Sequence, residues 1–319
     1  MFQVTRPSSE VVSEERILHT DLSKHKLYLL SDFMIVMKKP SVVILSLIIF
    51  LVTLPEDLTG QFAGPDKIKW TREKINKGLI WKSSQTNIAG EEPRNINILL
   101  VNTRKREISL VYNPAENLPV SQQAEPSDAL AAVNGGFFNI KDGGSVTYIR
   151  TDGKIHESDT ALKWNRNINM NGSLLIDSNG RVFIIEGQSN EWYDNNPDFK
   201  DVLLTGPLLL QNMQKSVLPV TSLVTQKHPR TAIGLRSKSR ILLVTVDGRS
   251  EFAAGMTLEE LTSLMLSLRC KDAVNLDGGG STTMWIRNKP YNGIVNMPSD
   301  NRKFDHDGAR AVSSIITVR

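Results

Sequence analysis

The chain has 319 residues, of which 40% are hydrophobic and 23% are charged, a composition typical of a globular protein able to bury one large core or two smaller ones. The formal net charge is only +4 and no run of lysines and arginines is present, which argues against a nucleic-acid-binding protein. The single cysteine, Cys270, cannot form an internal disulfide and has no second thiolate for a zinc site, so we expect a small buried residue there.

Residues 37–60 have the pattern of a signal peptide. Two lysines precede an apolar run at 42–54, which is shorter than the roughly 20 apolar residues needed to cross a bilayer. We therefore expect this segment to be removed, leaving an exported periplasmic or secreted protein without a stable membrane anchor. The polar residues 1–36 are interpreted as an extension outside the protein proper, with translation starting at Met34 or Met37.

Residues 70–319 contain no linker, repeat or low-complexity stretch, and we predict a single domain there. Asn179-Gly180 predicts a tight hairpin turn. The pattern as a whole indicates an α+β fold, in which a strand-rich mixed sheet is accompanied by a few packed helices. Apolar runs of β type predict strands at 96–102, 107–112, 131–134, 173–177, 181–186, 202–205, 230–235, 240–246, 273–275, 282–286 and 312–318.

The clearest predicted helix covers residues 258–268, where four apolar side chains share one face. Thr257 and Glu260 have the spacing of a capping box at its start. The helix leads into the strand at 273–275 and then into a glycine loop, an order typical of α/β units whose strand ends carry functional loops.

The loop after that strand is the best candidate for a functional site. Consecutive glycines allow backbone N–H groups to converge into an anion-binding nest and allow a ligand to approach the main chain closely. A tight turn is the alternative, although a turn needs fewer special residues. The loop has neither the Walker sequence nor the spacing of a nucleophile elbow, which argues against a serine nucleophile. Its chemical groups are one carboxylate, three glycines and three hydroxyls: Asp277, Gly278, Gly279, Gly280, Ser281, Thr282 and Thr283.

A second glycine loop follows the predicted strand at 131–134. Sugars stack on aromatic rings and hydrogen-bond to amides, so this loop is a candidate for sugar binding through Asn134, Gly135, Gly136 and Phe138. The alternative is that the aromatic rings belong to the core and that the two glycines form a bulge.

Two further loops carry charged side chains. Arg230, next to His228, is a suitable bidentate ligand for a phosphate or a carboxylate. Asp247-Gly248-Arg249 adds a second carboxylate and a second guanidinium. The alternatives are a structural ion pair for Arg230, a cap of the turn for His228 and a reverse turn at Asp247.

Taken in order, six motifs of the sequence resemble the phosphodiester glycosidase family. They are Asn-Gly-Gly-Phe-Phe at 134–138, Gly-Pro-Leu at 206–208, His-Pro-Arg-Thr-Ala at 228–232, Val-Asp-Gly-Arg at 246–249, Gly-Met-Thr-Leu-Glu-Glu-Leu at 255–261 and Asn-Leu-Asp-Gly-Gly-Gly-Ser at 275–281. The family includes many exported bacterial proteins, and we expect a bacterial relative. Its last segment is present at 295–300, but Met297 stands where the family usually has Arg, so a charge contact from this loop is not carried over.

This resemblance implies a hydrolase that cleaves the anomeric C–O bond of a sugar-1-phosphodiester and releases free sugar and a phosphomonoester. The implied substrate is a small sugar phosphate or a phosphoglycan, with no cofactor and no metal. Asp277, Asp247 and Arg230 are the expected catalytic residues: a carboxylate activates water or stabilises the sugar cation, and the arginine holds the phosphate. The expected substrate-binding residues are Asn134, Gly135, Gly136, Phe138, His228, Arg249, Gly278, Gly279, Gly280, Ser281 and Thr282.

Two other functions stay open at this point. A metal-dependent phosphodiesterase that attacks phosphorus needs a cluster of His and Asp ligands, whereas His156, His228 and His306 are widely spaced. A non-catalytic glycan-binding protein with the same pocket would need neutral donors and aromatic rings rather than two carboxylates and an arginine.

Overall fold

The computed structural model describes residues 68–86, 92–156 and 168–319, which belong to one compact unit. The predicted extension at 1–36 and the predicted signal peptide at 37–60 lie outside the described residues. Within the described ranges, no helix has both the length and the apolar character needed to span a bilayer.

Strands make up most of the described secondary structure. The helices are α1 (Val120–Ala124), α2 (Asn190–Asp194), α3 (Ser222–Thr225) and α4 (Leu258–Ser267). The strands are β1 (Thr71–Asn76), β2 (Leu79–Thr86), β3 (Arg94–Asn102), β4 (Ile108–Tyr112), β5 (Ala131–Asn134), β6 (Ile149–Thr151), β7 (Lys154–Ile155), β8 (Gly172–Asp177), β9 (Val182–Glu186), β10 (Phe199–Thr205), β11 (Leu208–Gln211), β12 (Gln214–Lys215), β13 (Arg230–Ser237), β14 (Arg240–Val246), β15 (Asp272–Asn275), β16 (Met284–Ile286) and β17 (Ser314–Val318).

These strands form three sheets. The largest has the order β1-β2-β3-β14-β13-β15-β11-β12, a second has the order β7-β6-β10-β8-β9, and a third has the order β16-β5-β17-β4. The α+β prediction, rich in strands with few helices, is confirmed. The detail differs, because the pairings between described strands are antiparallel and the expected mixed sheet is replaced by three sheets. Short turns such as the one at Gly180 join strands only in the antiparallel sense.

The core follows from the two-residue period of the strands. On β3, Leu99 and Val101 point into a central apolar cluster that receives side chains from all three sheets. Ile96 and Ile98, on the opposite face of the same strand, pack in a second cluster that includes the apolar face of helix α4. The largest sheet is therefore covered on both faces, which explains why its central strands read as continuous apolar runs.

Each predicted strand corresponds to an observed one, but six strands were not predicted. Strand β1, with the sequence Thr-Arg-Glu-Lys-Ile-Asn, lies at an exposed sheet edge and has no apolar alternation to reveal it. Strands β7 and β12 have two residues each, too few for a period to be visible. The others are β2, β6 and β11.

Helix α4 begins with the predicted capping box. The N–H of Glu260 donates to Thr257 Oγ1 at 3.1 Å, and the N–H of Thr257 donates to Glu260 Oε2 at 2.9 Å.

Just after the helix, Cys270 is fully buried, as predicted, and burial raises the pKa of its thiol to about 12. An added Cβ at Gly234 on β13 would lie 2.6 Å from Cys270 Sγ, so a small residue is needed on each side of this contact.

The capping box predicts the effect of changing Thr257. Thr257→Ala leaves the N–H of Glu260 without its acceptor and should lower the free energy of unfolding by about 1 kcal/mol. Thr257→Ser keeps the hydroxyl and should lose much less. Urea unfolding of both variants measures the difference, and equal losses in the two would show that the methyl group, not the cap, is what matters.

Candidate active site

The site lies where several strands of the largest sheet end together. Strand β13 pairs antiparallel with both β14 and β15, with Arg230 opposite Val246 and Ala232 opposite Asn275. The beginning of β13 therefore lies beside the ends of its two neighbours. As a result, the loops that carry His228, Asp247 and Asp277 meet at one edge.

Asn134 fastens the third sheet to this edge. Its Nδ2 donates to the carbonyl oxygen of Asp277 at 2.7 Å, and its Oδ1 accepts from Thr231 Oγ1 at 2.7 Å and from the N–H of Thr283 at 3.1 Å. The side chain is fully buried. Asn134 thus fixes the position of the glycine loop, and both its oxygen and its nitrogen are engaged inside the protein.

Asp247 is completely buried and has three hydrogen-bond donors around its carboxylate. Asn296 Nδ2 donates to Oδ1 at 2.8 Å, while Asn95 Nδ2 at 2.8 Å and the N–H of Met297 at 2.9 Å donate to Oδ2. Burial raises the pKa of this carboxyl to about 7, since the three neutral donors only partly replace water. Asp247 therefore holds the segment at 295–300 onto the strand ends.

Asp277 is half-buried and lies at the start of the glycine loop. Burial raises its pKa to about 6, while Ser281, the N–H of Gly278 and the charges of Arg310 and Arg249 act in the lowering direction. The Gly278 N–H donates to Asp277 Oδ1 at 2.9 Å. Ser281 Oγ lies near enough to lower the pKa of the Asp277 carboxyl, although the two groups do not form a hydrogen bond of ordinary geometry. Near neutral pH this carboxyl changes protonation readily.

The glycine loop is not an open nest of N–H groups. The N–H of Gly278 is directed to Asp277, and the N–H of Gly279 donates to the carbonyl oxygen of Pro229 at 2.9 Å. Only the N–H of Gly280 has no acceptor among the described residues. The anion-binding nest expected from the sequence is therefore reduced to a single donor.

The glycines instead allow two arginines to lie directly on the loop. An added Cβ at Gly279 would lie 2.9 Å from Arg249 Nη2, and one at Gly280 would lie 2.5 Å from Arg310 Nη2. Arg249 is exposed, has a positive φ of 62°, and makes no ion pair with the described residues. Arg310 donates through Nε to Asp300 Oδ1 at 2.9 Å. Two guanidinium groups therefore flank Asp277.

Arg310 was not among the residues predicted from the sequence. It lies 30 residues after Gly280, outside the glycine motif, and an isolated arginine carries no motif of its own. Its position against Gly280 becomes visible only in the fold, because strand β17 returns to the third sheet beside β5.

Arg230 is placed differently from what the sequence suggested. Its side chain is 1% exposed and donates to three main-chain oxygens at 2.8 Å, through Nε to Met256 and through Nη2 to Leu223 and Gln226. These bonds tie β13 to the segments around helix α3 and before helix α4. Nη1 is the part of the guanidinium left without such a bond in the described structure.

The two aromatic side chains of the second glycine loop differ in burial. Phe138 is buried in an apolar cluster with Trp285, so its ring packs in the core, whereas Phe137 is half-buried. Gly135 and Gly136 pack against Ser314 and Leu203 with no space for a side chain. Their hydrogen bonds to Ser314 set the position of this loop.

Two histidines belong to the loops around the site. His228 is half-buried, and burial together with the charges of Arg230 and Arg249 lowers the pKa of its ring below 6.5. His306, which sequence reasoning considered only as a metal ligand, lies with Nδ1 2.8 Å from the carbonyl oxygen of Asn296 and stacks on Tyr291. In the described ranges no group of three or more His, Cys, Asp or Glu side chains is arranged to hold a metal ion.

Buried hydroxyls without partners line the same loop. Ser281 Oγ, Thr282 Oγ1 and Thr283 Oγ1 are buried and form no hydrogen bond within the described structure. Unsatisfied buried hydroxyls cost free energy and are commonly satisfied by water or a ligand. They add donor and acceptor capacity beside Asp277.

Comparison with known proteins identifies the family. The family model described as phosphodiester glycosidase matches residues 127–319, more than half of the chain. The chain belongs to the phosphodiester glycosidase family. The match spans every loop of the site from Asn134 to Arg310.

Relatives in the phosphodiester glycosidase family match at moderate identity. The N-acetylglucosamine-1-phosphodiester alpha-N-acetylglucosaminidases of Bos taurus and Homo sapiens are each 26% identical over 195 residues, 57% of this chain and 35% and 36% of theirs. The SPbeta prophage-derived uncharacterized protein YomE of Bacillus subtilis is 47% identical over 68 residues, 21% of this chain and 11% of that protein. The chain thus spans about a third or less of these relatives.

Solved structures show the same fold. The zebrafish N-acetylglucosamine-1-phosphodiester alpha-N-acetylglucosaminidase catalytic domain, auto-inhibited by its pro-peptide, superposes with a TM-score of 0.62 at 20% identity, covering 79% of this chain and 87% of that one. A hypothetical protein from Synechocystis superposes with a TM-score of 0.56 at 15% identity, covering 79% and 64%.

The buried Asp247 predicts a specific dependence of stability on pH. Its pKa is about 7 in the fold against 3.8 in the unfolded chain, so between these values the folded protein holds a proton that the unfolded chain lacks. The contribution of Asp247 to stability is therefore lost as the pH rises from about 4 to 7. Asp247→Asn has no such ionisation, so its free energy of unfolding should fall by about 3 kcal/mol less than that of the wild type between pH 5 and pH 8.

Urea unfolding at the two pH values tests this, with Asp198→Asn, an exposed carboxylate, as the matched control. The change between the two pH values is the relevant quantity, since Asp247→Asn also alters the three hydrogen bonds. Parallel profiles for the wild type and Asp247→Asn would mean that the carboxyl ionises normally in the fold.

Proposed function

We propose that this chain hydrolyses the anomeric C–O bond of a sugar-1-phosphodiester and releases free sugar and a phosphomonoester. The observation that carries the proposal is the position of Asp277, a half-buried carboxyl of raised pKa flanked by Arg249 and Arg310. In such a reaction the sugar becomes cationic while the phosphate departs as an anion. A carboxyl suits the first charge, and two guanidinium groups at the same loop suit the second. Membership of the phosphodiester glycosidase family supports the same reaction class.

In this proposal, the arginines hold the leaving group. A phosphate monoester is a stable anion, so its departure depends more on cationic donors than on a general acid. Arg249 has no ion-pair partner in the described structure and packs on the glycine loop, where the N–H of Gly280 has no acceptor among the described residues. Preorganised donors of this kind each supply about 3 kcal/mol to a transition state.

Asp277 acts on the sugar side of the bond. It removes a proton from water as the water oxygen bonds to the anomeric carbon, while the bond from that carbon to the bridging oxygen breaks and both its electrons leave with the phosphate. With a pKa of about 6, Asp277 is mostly ionised at neutral pH and is a sufficiently strong base to accept that proton.

Asp247 is a positioning residue in this scheme. Its carboxyl is completely buried, and its three hydrogen bonds hold Asn95 to the segment that carries Asn296 and Met297. Arg230 has a similar task, since three of its N–H groups are engaged by main-chain oxygens. Both keep the loops around Asp277 and Arg249 in place.

The first substrates to test follow from the relatives. The animal proteins are named for removing N-acetylglucosamine from a phosphodiester, so N-acetylglucosamine-1-phosphodiesters head the panel, followed by glucose-1-phosphodiesters and phosphoglycans. We also propose that the protein is exported, a proposal that rests on the sequence at 37–60 alone, and that its source is bacterial, which rests on the family resemblance.

Asp277→Asn should abolish turnover. Loss of the base and of the negative charge should lower kcat/KM by at least a factor of about 1,000, with the fold unchanged by circular dichroism. Release of sugar and phosphomonoester is measured for the wild type, for Asp277→Asn and for the exposed control Asp198→Asn. In ¹⁸O-labelled water the label must enter the sugar. Label in the phosphate would indicate attack on phosphorus, and sugar binding without turnover in the wild type would indicate a binding protein.

Arg249→Ala should lower kcat by roughly 100-fold or more, because a donor to the departing phosphate is lost. Arg249→Lys keeps the charge but not the fork of donors and should retain an intermediate rate. The steady-state constants of both variants on the best substrate of the panel measure this. Equal and small losses would place the phosphate away from Arg249.

A further inference from the structure

A second concave surface lies at the far end of the same strands. Strand β14 begins at Arg240 and ends at Val246, next to Asp247, so the two ends are about 20 Å apart at roughly 3.3 Å per residue. The turns after β3, between β8 and β9, and between β13 and β14 come together at this far end. The site and this surface therefore occupy opposite ends of the largest sheet.

Three grooves of about 350, 640 and 530 Å³ run along this surface. The second and third share Arg104, and the first and third share Ser237, so each groove adjoins the next. Their combined lining contains ten lysines and arginines but only two carboxylates, Glu107 and Asp272. That excess is larger than the formal charge of +4 for the whole chain. We call this surface the basic face.

Most of these cations have no ion pair. Lys200 and Arg319 are paired with Glu107, and Arg181 is paired with Asp177. Like charges held close together without counter-charges raise the free energy of the folded protein and create a strong positive potential over the grooves. In the described structure no ion pair is formed by the other seven, Arg104, Lys105, Arg106, Arg236, Lys238, Arg240 and Lys271.

The lining favours a polyanion that is neither a nucleic acid nor a lipid bilayer. Phe183 is the aromatic residue of these grooves, and the Arg181 guanidinium lies over its ring at 5.8 Å from the centroid, so a nucleobase would compete with Arg181 for that face. The exposed large apolar side chains of the described structure, such as Val217, Val220 and Phe252, do not line the grooves. A bilayer would be expected to engage such side chains.

We propose that the basic face binds a glycan polymer joined by sugar-1-phosphodiesters, and that such a polymer is the substrate. This rests on the proposed function, because the polymer would present its sugar-1-phosphodiester at Asp277 while further phosphates lie along the basic face. Adjoining grooves lined by unpaired cations fit an extended chain of phosphates better than a single small anion. The substrate class is thus a polyanion, and small diesters are turned over with a higher KM.

The test uses a matched pair of charge reversals. Arg104→Glu/Lys238→Glu removes two unpaired cations of the basic face. Arg72→Glu/Lys141→Glu makes the same change of net charge at exposed residues outside the grooves. Binding of a poly(glycerol phosphate) chain is titrated at 50 and 200 mM NaCl. We expect at least a tenfold weaker Kd and a smaller salt dependence for the first variant, and less than a twofold change for the second.

Two further measurements separate the possibilities. Equal losses in both variants, or no wild-type binding at 50 mM NaCl, would overturn the proposal, as would tighter binding to phosphatidylglycerol vesicles or to single-stranded DNA. On a small sugar-1-phosphodiester the basic-face variant should keep the wild-type KM, whereas on a poly(sugar-1-phosphate) chain, which unlike poly(glycerol phosphate) contains the bond to be broken, its KM should rise at least tenfold. Polymer binding that depends on the basic face without turnover of any substrate would support the binding surface and overturn the proposed reaction.

Discussion

The antiparallel register of strand β13 between β14 and β15 is the constraint on which the site depends. Because Arg230 lies opposite Val246 and Ala232 lies opposite Asn275, the first residues of one strand are placed beside the last residues of its two neighbours. A slip by one residue would turn every side chain of β13 to the other face and move Ile233 out of the central core. The register is therefore fixed by burial on both faces of the sheet, and the position of the loops follows from packing that takes place away from them.

Around this edge the protein uses neutral donors for its deepest carboxyl and cations for the accessible one. Asp247 is surrounded by amide groups and has a pKa near 7, whereas Asp277 has two arginines nearby and a pKa near 6. Three neutral hydrogen bonds do not replace the hydration of a charge, which is why burial dominates at Asp247. The difference between the environments separates the two carboxyl groups into one that holds loops together and one that faces a ligand, a pattern common in enzymes that use paired carboxyls.

Much of the fold could be predicted from the sequence, because apolar alternation marks strands that are half-buried or buried. Strand β1 could not, since an exposed edge strand is held by backbone hydrogen bonds that any sequence can make. In the site, the motifs named Asp247, Asp277 and Arg249, and the fold brings their loops to one edge. What the motifs could not show is which donors are already engaged: Arg230 and the glycine N–H groups have partners that only the fold brings near. Arg310 was missed for the same reason.

The distribution of charge shows a second feature that the sequence alone does not reveal. Along the sequence, lysines and arginines are mixed with carboxylates, and the mild net charge argues against a nucleic acid as ligand. In the fold, the turns of three sheets converge at one end of the strands, so Arg104, Lys238 and Lys271 become neighbours although more than 160 residues separate the first from the last. A net charge therefore bounds the average potential and not its local value. A short polar turn has little influence on the core, which leaves its charges free to be set by what the surface binds.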